Sequence, residues 1–213
     1  MRSSLPSRPN IQEAYTTGGR RVAARAMSGL ARTRLTPTAL SLAGALLCVA
    51  GSVSVYFEYR NDLLYFWLGA CLFLLGSILD VLDGALARAG GKATPFGAFV
   101  DSTTDRIGEA FMLGAIGLVF ARDGNETALA FTFAALAGGT FLVSYTRARA
   151  EALGLKGDVG LASRAERVVL VTIGLVVAPW DGLQWAIYVL AATAWLTVVQ
   201  RVWSVRNQLR ERG

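Results

Sequence analysis

Residues 79–106, LDVLDGALARAGGKATPFGAFVDSTTDR, place Asp80, Asp83, Asp101 and Asp105 inside or beside stretches otherwise apolar enough to cross a bilayer. An acid at that depth costs about 2.5–3.5 kcal/mol even on the mildest insertion scale, so intramembrane carboxylates mark function first. Asp80 and Asp83 stand three residues apart, Asp101 and Asp105 four apart, and on helices each pair shares one face. Between the pairs, ARAGGKATPF carries two glycines and a proline and predicts a tight turn. Two antiparallel helices would then converge four carboxylates at one level.

The rest of the chain supports the membrane reading. Its 213 residues are 54% hydrophobic and 17% charged, against about 25% charged in soluble domains. Apolar runs recur at intervals, several of them near the roughly 17–25 residues a helix needs to cross a bilayer. The predicted fold is an all-α integral membrane protein with six transmembrane helices, at about 37–57, 63–88, 98–121, 126–150, 164–180 and 183–207. They form one domain over 35–208. Residues 1–18, rich in Ser, Pro and Arg, predict a flexible segment. Over 19–34, Arg21, Arg25, Ser28 and Arg32 share a face opposite Val22, Ala26, Met27 and Leu30, which predicts an amphipathic helix lying on the membrane surface.

The formal net charge is +6, but its distribution argues against nucleic acid as the partner. Six crossings put alternate loops on opposite sides. All of the 21 basic residues except Arg60 and Arg122 then fall on the side that also holds both termini. The positive-inside rule makes that side cytoplasmic. Tyr56, Phe57, Tyr59, Tyr65, Trp67, Trp180, Trp185 and Tyr188 gather near the opposite ends as an interface belt. Cys48 and Cys71 read as small buried hydrophobes. The chain has no histidine, which excludes histidine-based catalysis and histidine metal ligation.

Four clustered anions need cations among them. Hard divalent ions held by carboxylate oxygens meet that demand. Gly84, Ala87 and Gly97 leave wall space near the acids for a bulky group, and Arg88 supplies a charge suited to phosphate. Together these suggest a metal-bound, phosphate-containing nucleotide. A carboxylate-lined ion or proton pathway, or buried salt bridges to Arg88 and Arg106, remain the competing readings.

The pattern Asp80-x2-Asp83-Gly84-x2-Ala87-Arg88-x8-Gly97-x3-Asp101-x3-Asp105 resembles the signature of the CDP-alcohol phosphatidyltransferases, matched at every fixed position. The resemblance implies transfer of a phosphatidyl group from CDP-diacylglycerol to an alcohol, with release of CMP. It implies two divalent cations, Mg2+ or Mn2+, on Asp80, Asp83, Asp101 and Asp105, with Asp105 also the general base. Gly84, Ala87, Arg88 and Gly97 would line the CDP site. A homodimer in a bacterial cytoplasmic membrane, with a cytoplasmic active site, is the expected setting.

The fourth loop narrows the acceptor. Ser144-Tyr145-x-Arg147-Ala148-Arg149-Ala150-Glu151, then Gly154-Leu155-x-Gly157-Asp158-x-Gly160 and Arg164-x-Glu166-Arg167, resembles the phosphatidylinositol-phosphate synthases of that family. That resemblance implies an inositol phosphate acceptor, its phosphate held by Arg147, Arg167 and Arg201. Glycerol 3-phosphate or another alcohol is the alternative. Two positions depart from the pattern: arginine at 147 where lysine is common, and Thr38 where relatives often carry aspartate or asparagine. Glu109, one turn beyond Asp105, reads as a partner for Arg106.

Overall fold

The computed structural model describes residues 36–89 and 93–212, and its regular structure among them is helical throughout. The predicted helix at 19–34 and the segment 1–18 lie outside the described residues. Six long elements follow in order: α1 (Pro37–Tyr56), α2 (Asp62–Ala89), α3 (Pro95–Arg122), α4 (Glu126–Ala152), α5 (Arg164–Val176) and α6 (Leu183–Arg212). Their bounds track the apolar periodicity closely. Local chemistry explains the starts. Thr36 and Thr94 each accept a backbone N–H with proline in the first turn, and Ser163 with Glu166 closes a capping box on α5.

Four helices, α1, α2, α4 and α6, are long and apolar enough to cross a membrane. Two of the six expected crossings do not meet that description. Asp105, Arg106 and Glu109 interrupt the apolar run of α3, and α5 has only 13 residues before a short 3-10 turn at Ala178–Trp180.

α1 packs along α2 through glycine. A Cβ on Gly76 would stand 2.5 Å from the Gly44 carbonyl oxygen, and one on Gly51 would stand 2.9 Å from that of Gly69. Only glycines permit this approach, the small-residue contact typical of membrane helix pairs. It brings the C-terminal end of α2, with its acids, against the start of α1. Phe73, Met112 and Ile116 fill the centre of the resulting bundle. Cys48 lies buried beside them as expected. Cys71 departs from expectation and is exposed on the outward face of α2.

α4 is not a uniform α-helix. Leu136–Leu142 winds as a wider π turn, and Gly138 there packs against the indole of Trp195 on α6. At the end of the bundle away from the acids, Arg122 stacks over Tyr59 at 4.6 Å and pairs with Glu58. Of the expected belt, Tyr56, Tyr59, Trp67, Trp180 and Trp185 are exposed in the same region, whereas Phe57, Tyr65 and Tyr188 are partly buried, Tyr188 against the core.

Candidate active site

Asp80 and Asp83 sit one and two turns beyond Gly76, on the last part of α2, and Asp101 and Asp105 on the first turns of α3. One carboxylate oxygen from each of Asp80, Asp101 and Asp105 lies within 4.8 Å of the others. Asp83 is not in that group. It takes a hydrogen bond from the Ser41 hydroxyl of α1 and faces a neighbouring cavity. So the structure brings three of the four expected ligands to one point and sets the fourth beside them.

Two cavities flank the cluster. The smaller, about 170 Å3, is walled by Ser41, Asp83, Gly84, Ala87, Gly97 and Asp101, with Thr38 at its edge. Three positions expected to leave room for a nucleotide therefore share one concavity. Arg88 belongs to the same end of α2, but its side chain lies outside the described residues. The larger cavity, about 650 Å3, is lined by Asp101, Asp105, Arg147, Arg164, Arg167 and Arg201 among others. Asp101 belongs to both. A group in one cavity and a group in the other would meet at this carboxylate.

The arginines differ in what already holds them. Arg167 is buried and bidentate with Glu109, at 2.6 and 2.9 Å, and also donates to the Ala162 carbonyl at 2.9 Å. This corrects the expected pairing of Glu109 with Arg106, whose guanidinium instead turns back to the Ser102 carbonyl. The long Arg167 side chain, extending from α5, reaches Glu109 instead. Arg147 is exposed and pairs with Glu151 one turn on, at 2.9 Å. Arg201 is buried and donates to the carbonyls of Val159, at 2.8 Å, and Val143. It has no carboxylate within ion-pair distance among the described residues, so its charge is the least compensated of the three.

Arg164 was not singled out from the sequence, yet it enters the cluster. One terminal nitrogen pairs with Asp80, and the other stands 2.6 Å from Asp105 Oδ1. The capping box at Ser163 marks in the sequence where α5 starts, and clustered acids demand a cation, but nothing local ties Arg164 to Asp80. Its contact with Asp105 lacks hydrogen-bond alignment, which leaves that buried oxygen without a hydrogen-bond partner.

This donor set fits a divalent cation. The ligand atoms are hard carboxylate oxygens, and they lie within 4.8 Å of one another, close to the span of about 4.2 Å across a magnesium-sized ion. Asp80, Asp101 and Asp105 would hold it, with Asp83 adjacent.

Comparison with known proteins follows the same line. Residues 34–207 match the family described as CDP-alcohol phosphatidyltransferase. A phosphatidylinositol phosphate synthase of Mycolicibacterium smegmatis is 35% identical over 202 residues, covering 91% of this chain and 86% of that one. An archaetidylinositol phosphate synthase of Methanothermobacter thermautotrophicus is 36% identical over 207 residues, covering 95% of this chain and 100% of its own. Among solved structures, the phosphatidylinositol phosphate synthase of Mycobacterium tuberculosis with CDP-DAG bound superposes with a TM-score of 0.76 at 31% identity, covering 87% of this chain and 94% of that one. A crystal structure of the same enzyme with manganese and citrate gives a TM-score of 0.74, at 32% identity over 86% of this chain and 88% of that one.

Proposed function

Because the chain belongs to the CDP-alcohol phosphatidyltransferase family, we propose that it transfers the phosphatidyl group of CDP-diacylglycerol to an inositol phosphate, releasing CMP. The observation that carries this reading is the shared position of Asp101 between a small-residue cavity and an arginine-lined one. A donor diphosphate in the first and a phosphorylated acceptor in the second would place their reacting atoms at the acid cluster. The acceptor is also the common element in the names of the bacterial and archaeal relatives, whose lipid parts differ.

The chemistry can be written on this chain's residues. Gly84, Ala87 and Gly97 admit the cytidine diphosphate portion beside Asp83, and family resemblance adds Arg88 to the same site. Divalent cations, two Mg2+ or Mn2+ held by Asp80, Asp83, Asp101 and Asp105, would neutralise the diphosphate and stabilise CMP as the leaving group. Asp105 takes the proton from the acceptor hydroxyl as its oxygen bonds to the phosphatidyl phosphorus. The bond from that phosphorus to the CMP oxygen breaks in the same displacement, which needs chiefly positioning and charge. Arg201 and Arg147 face the acceptor phosphate, and Arg167 is aimed by Glu109. Guanidinium suits that task because it can meet a phosphate with two parallel donors.

The setting follows from charge and length. All six helices cross the membrane in this reading, α3 and α5 shielded by their neighbours, with both termini and the acid cluster at the cytoplasmic face of a bacterial membrane. Family resemblance supports a homodimer. The deciding assay measures CMP release from CDP-diacylglycerol with magnesium, offering one alcohol at a time. Release with inositol phosphate is the expected result. Release with glycerol 3-phosphate alone would refute the acceptor assignment while keeping the reaction class.

A further inference from the structure

The loop joining α4 to α5, residues 153–163, forms part of the wall of the larger cavity through Asp158, Gly160 and Ala162. It has no regular structure of its own, and Gly154 and Gly160 turn it at positive φ, +69° and +130°. Among the described residues, no backbone–backbone hydrogen bond involves 156–162. Such a segment keeps a defined shape only if side chains hold it.

One face of α6 does so. Thr197 accepts from the Ala162 N–H at 2.9 Å, and Arg201 donates to the Val159 carbonyl at 2.8 Å. Two turns further, the Gln208 amide closes a two-point contact on Lys156, accepting from its N–H at 2.9 Å and donating to its carbonyl at 3.0 Å. Arg212 donates to the Gly154 carbonyl at 2.7 Å. Spacings of four, seven and four keep these residues on one face. The 30 residues of α6 span about 45 Å, roughly 15 Å more than a hydrocarbon core of about 30 Å. The surplus is the part that carries Gln208 and Arg212. Both lie beyond residue 207, where the family match ends.

We infer that Gln208, assisted by Arg212, is a positioning residue for the acceptor: it suspends the 153–163 loop from α6 so that Asp158 and Gly160 close the phosphate-binding cavity. This rests on the acceptor reading above for what occupies that cavity. Neither residue lines the small-residue cavity of the donor, so the effect should be confined to one substrate.

The test uses the purified full-length enzyme in lipid nanodiscs with the variant Gln208→Ala. Two lost hydrogen bonds predict a KM for inositol phosphate raised roughly tenfold, with kcat and the KM for CDP-diacylglycerol within about a factor of two. Tryptic cleavage after Lys156 should quicken by a comparable factor. Gln208→Glu retains an acceptor for the Lys156 N–H and loses the donor, so it should fall between. Arg212→Ala should shift the acceptor KM in the same direction by less, because it removes one hydrogen bond to the loop where Gln208→Ala removes two. Unchanged acceptor KM and unchanged cleavage at Lys156 in an active enzyme would overturn the tether alone. A parallel fall of kcat, both substrate affinities and melting temperature would also overturn it, marking a structural role only. If the parent enzyme uses a different phosphorylated alcohol, the acceptor assignment falls and the KM split with that alcohol still judges the tether. If it releases CMP with none, both fall.

Discussion

Replacing Glu109 with glutamine tests how the site aims its arginines. The Glu109 and Arg167 side chains are 7% and 6% exposed and joined by two charge-assisted hydrogen bonds. Removing one partner of a buried ion pair costs about 3–5 kcal/mol, because the other charge is left uncompensated. Both residues border the larger cavity, which admits water, and Arg167 keeps its bond to Ala162. The expected loss therefore sits at the lower end, about 3 kcal/mol. Unfolding in SDS, followed by helical circular dichroism, measures it. A cycle with Arg167→Gln separates the pair from the single losses and should return a coupling of about 2–3 kcal/mol. Losses that add within about 0.5 kcal/mol would refute the pairing as an energetic unit. Turnover adds a second readout. With Glu109 gone, Arg167 is free to leave its aimed position, and acceptor KM should rise more than donor KM.

Three further outcomes follow from the site. Asp105→Asn should lower CMP release by about 10^2–10^4-fold, the usual worth of a positioned base, while CDP-diacylglycerol still binds; full turnover would remove Asp105 from that role. EDTA should abolish CMP release, and added Mg2+ or Mn2+ should restore it; activity that survives exhaustive chelation would contradict the metal reading. Gly76→Ala should destabilise the fold, because its new methyl meets the Gly44 carbonyl at 2.5 Å and Cys48 Sγ at 2.7 Å. Cores forced to accept such overlap lose about 1–3 kcal/mol, and a melting temperature equal to the parent's would show that α1 and α2 can separate freely.

Much of this arrangement was legible because it is written in short spacings. Apolar periodicity located six helices, the acids announced themselves at three- and four-residue intervals, and Gly84, Ala87 and Gly97 shared the expected cavity. Contacts between helices were not legible. Arg164 reaches Asp80 across 84 positions and Arg167 reaches Glu109 across 58, and nothing local records such meetings. Arg164 looked like one of several loop cations, and Glu109 looked like the partner of the arginine nearest in sequence. Asp83 parted from the other acids because Ser41, brought close by the glycine contact of α1 and α2, engages it. Gln208 and Arg212 resembled an ordinary polar helix end.

The wide turn at Leu136–Leu142 has one more consequence. A π turn inserts about one residue into an α-helical register, and each residue of an α-helix advances by about 100°. The half of α4 before the turn and the half after it are thus out of phase by about a quarter revolution. The first can follow the packing of its neighbours while the second points Ser144, Arg147 and Ala148 inward at the cavity. Shortening LAGGTFL by a single residue would rotate Arg147 out of the pocket and leave the half that begins at Glu126 undisturbed.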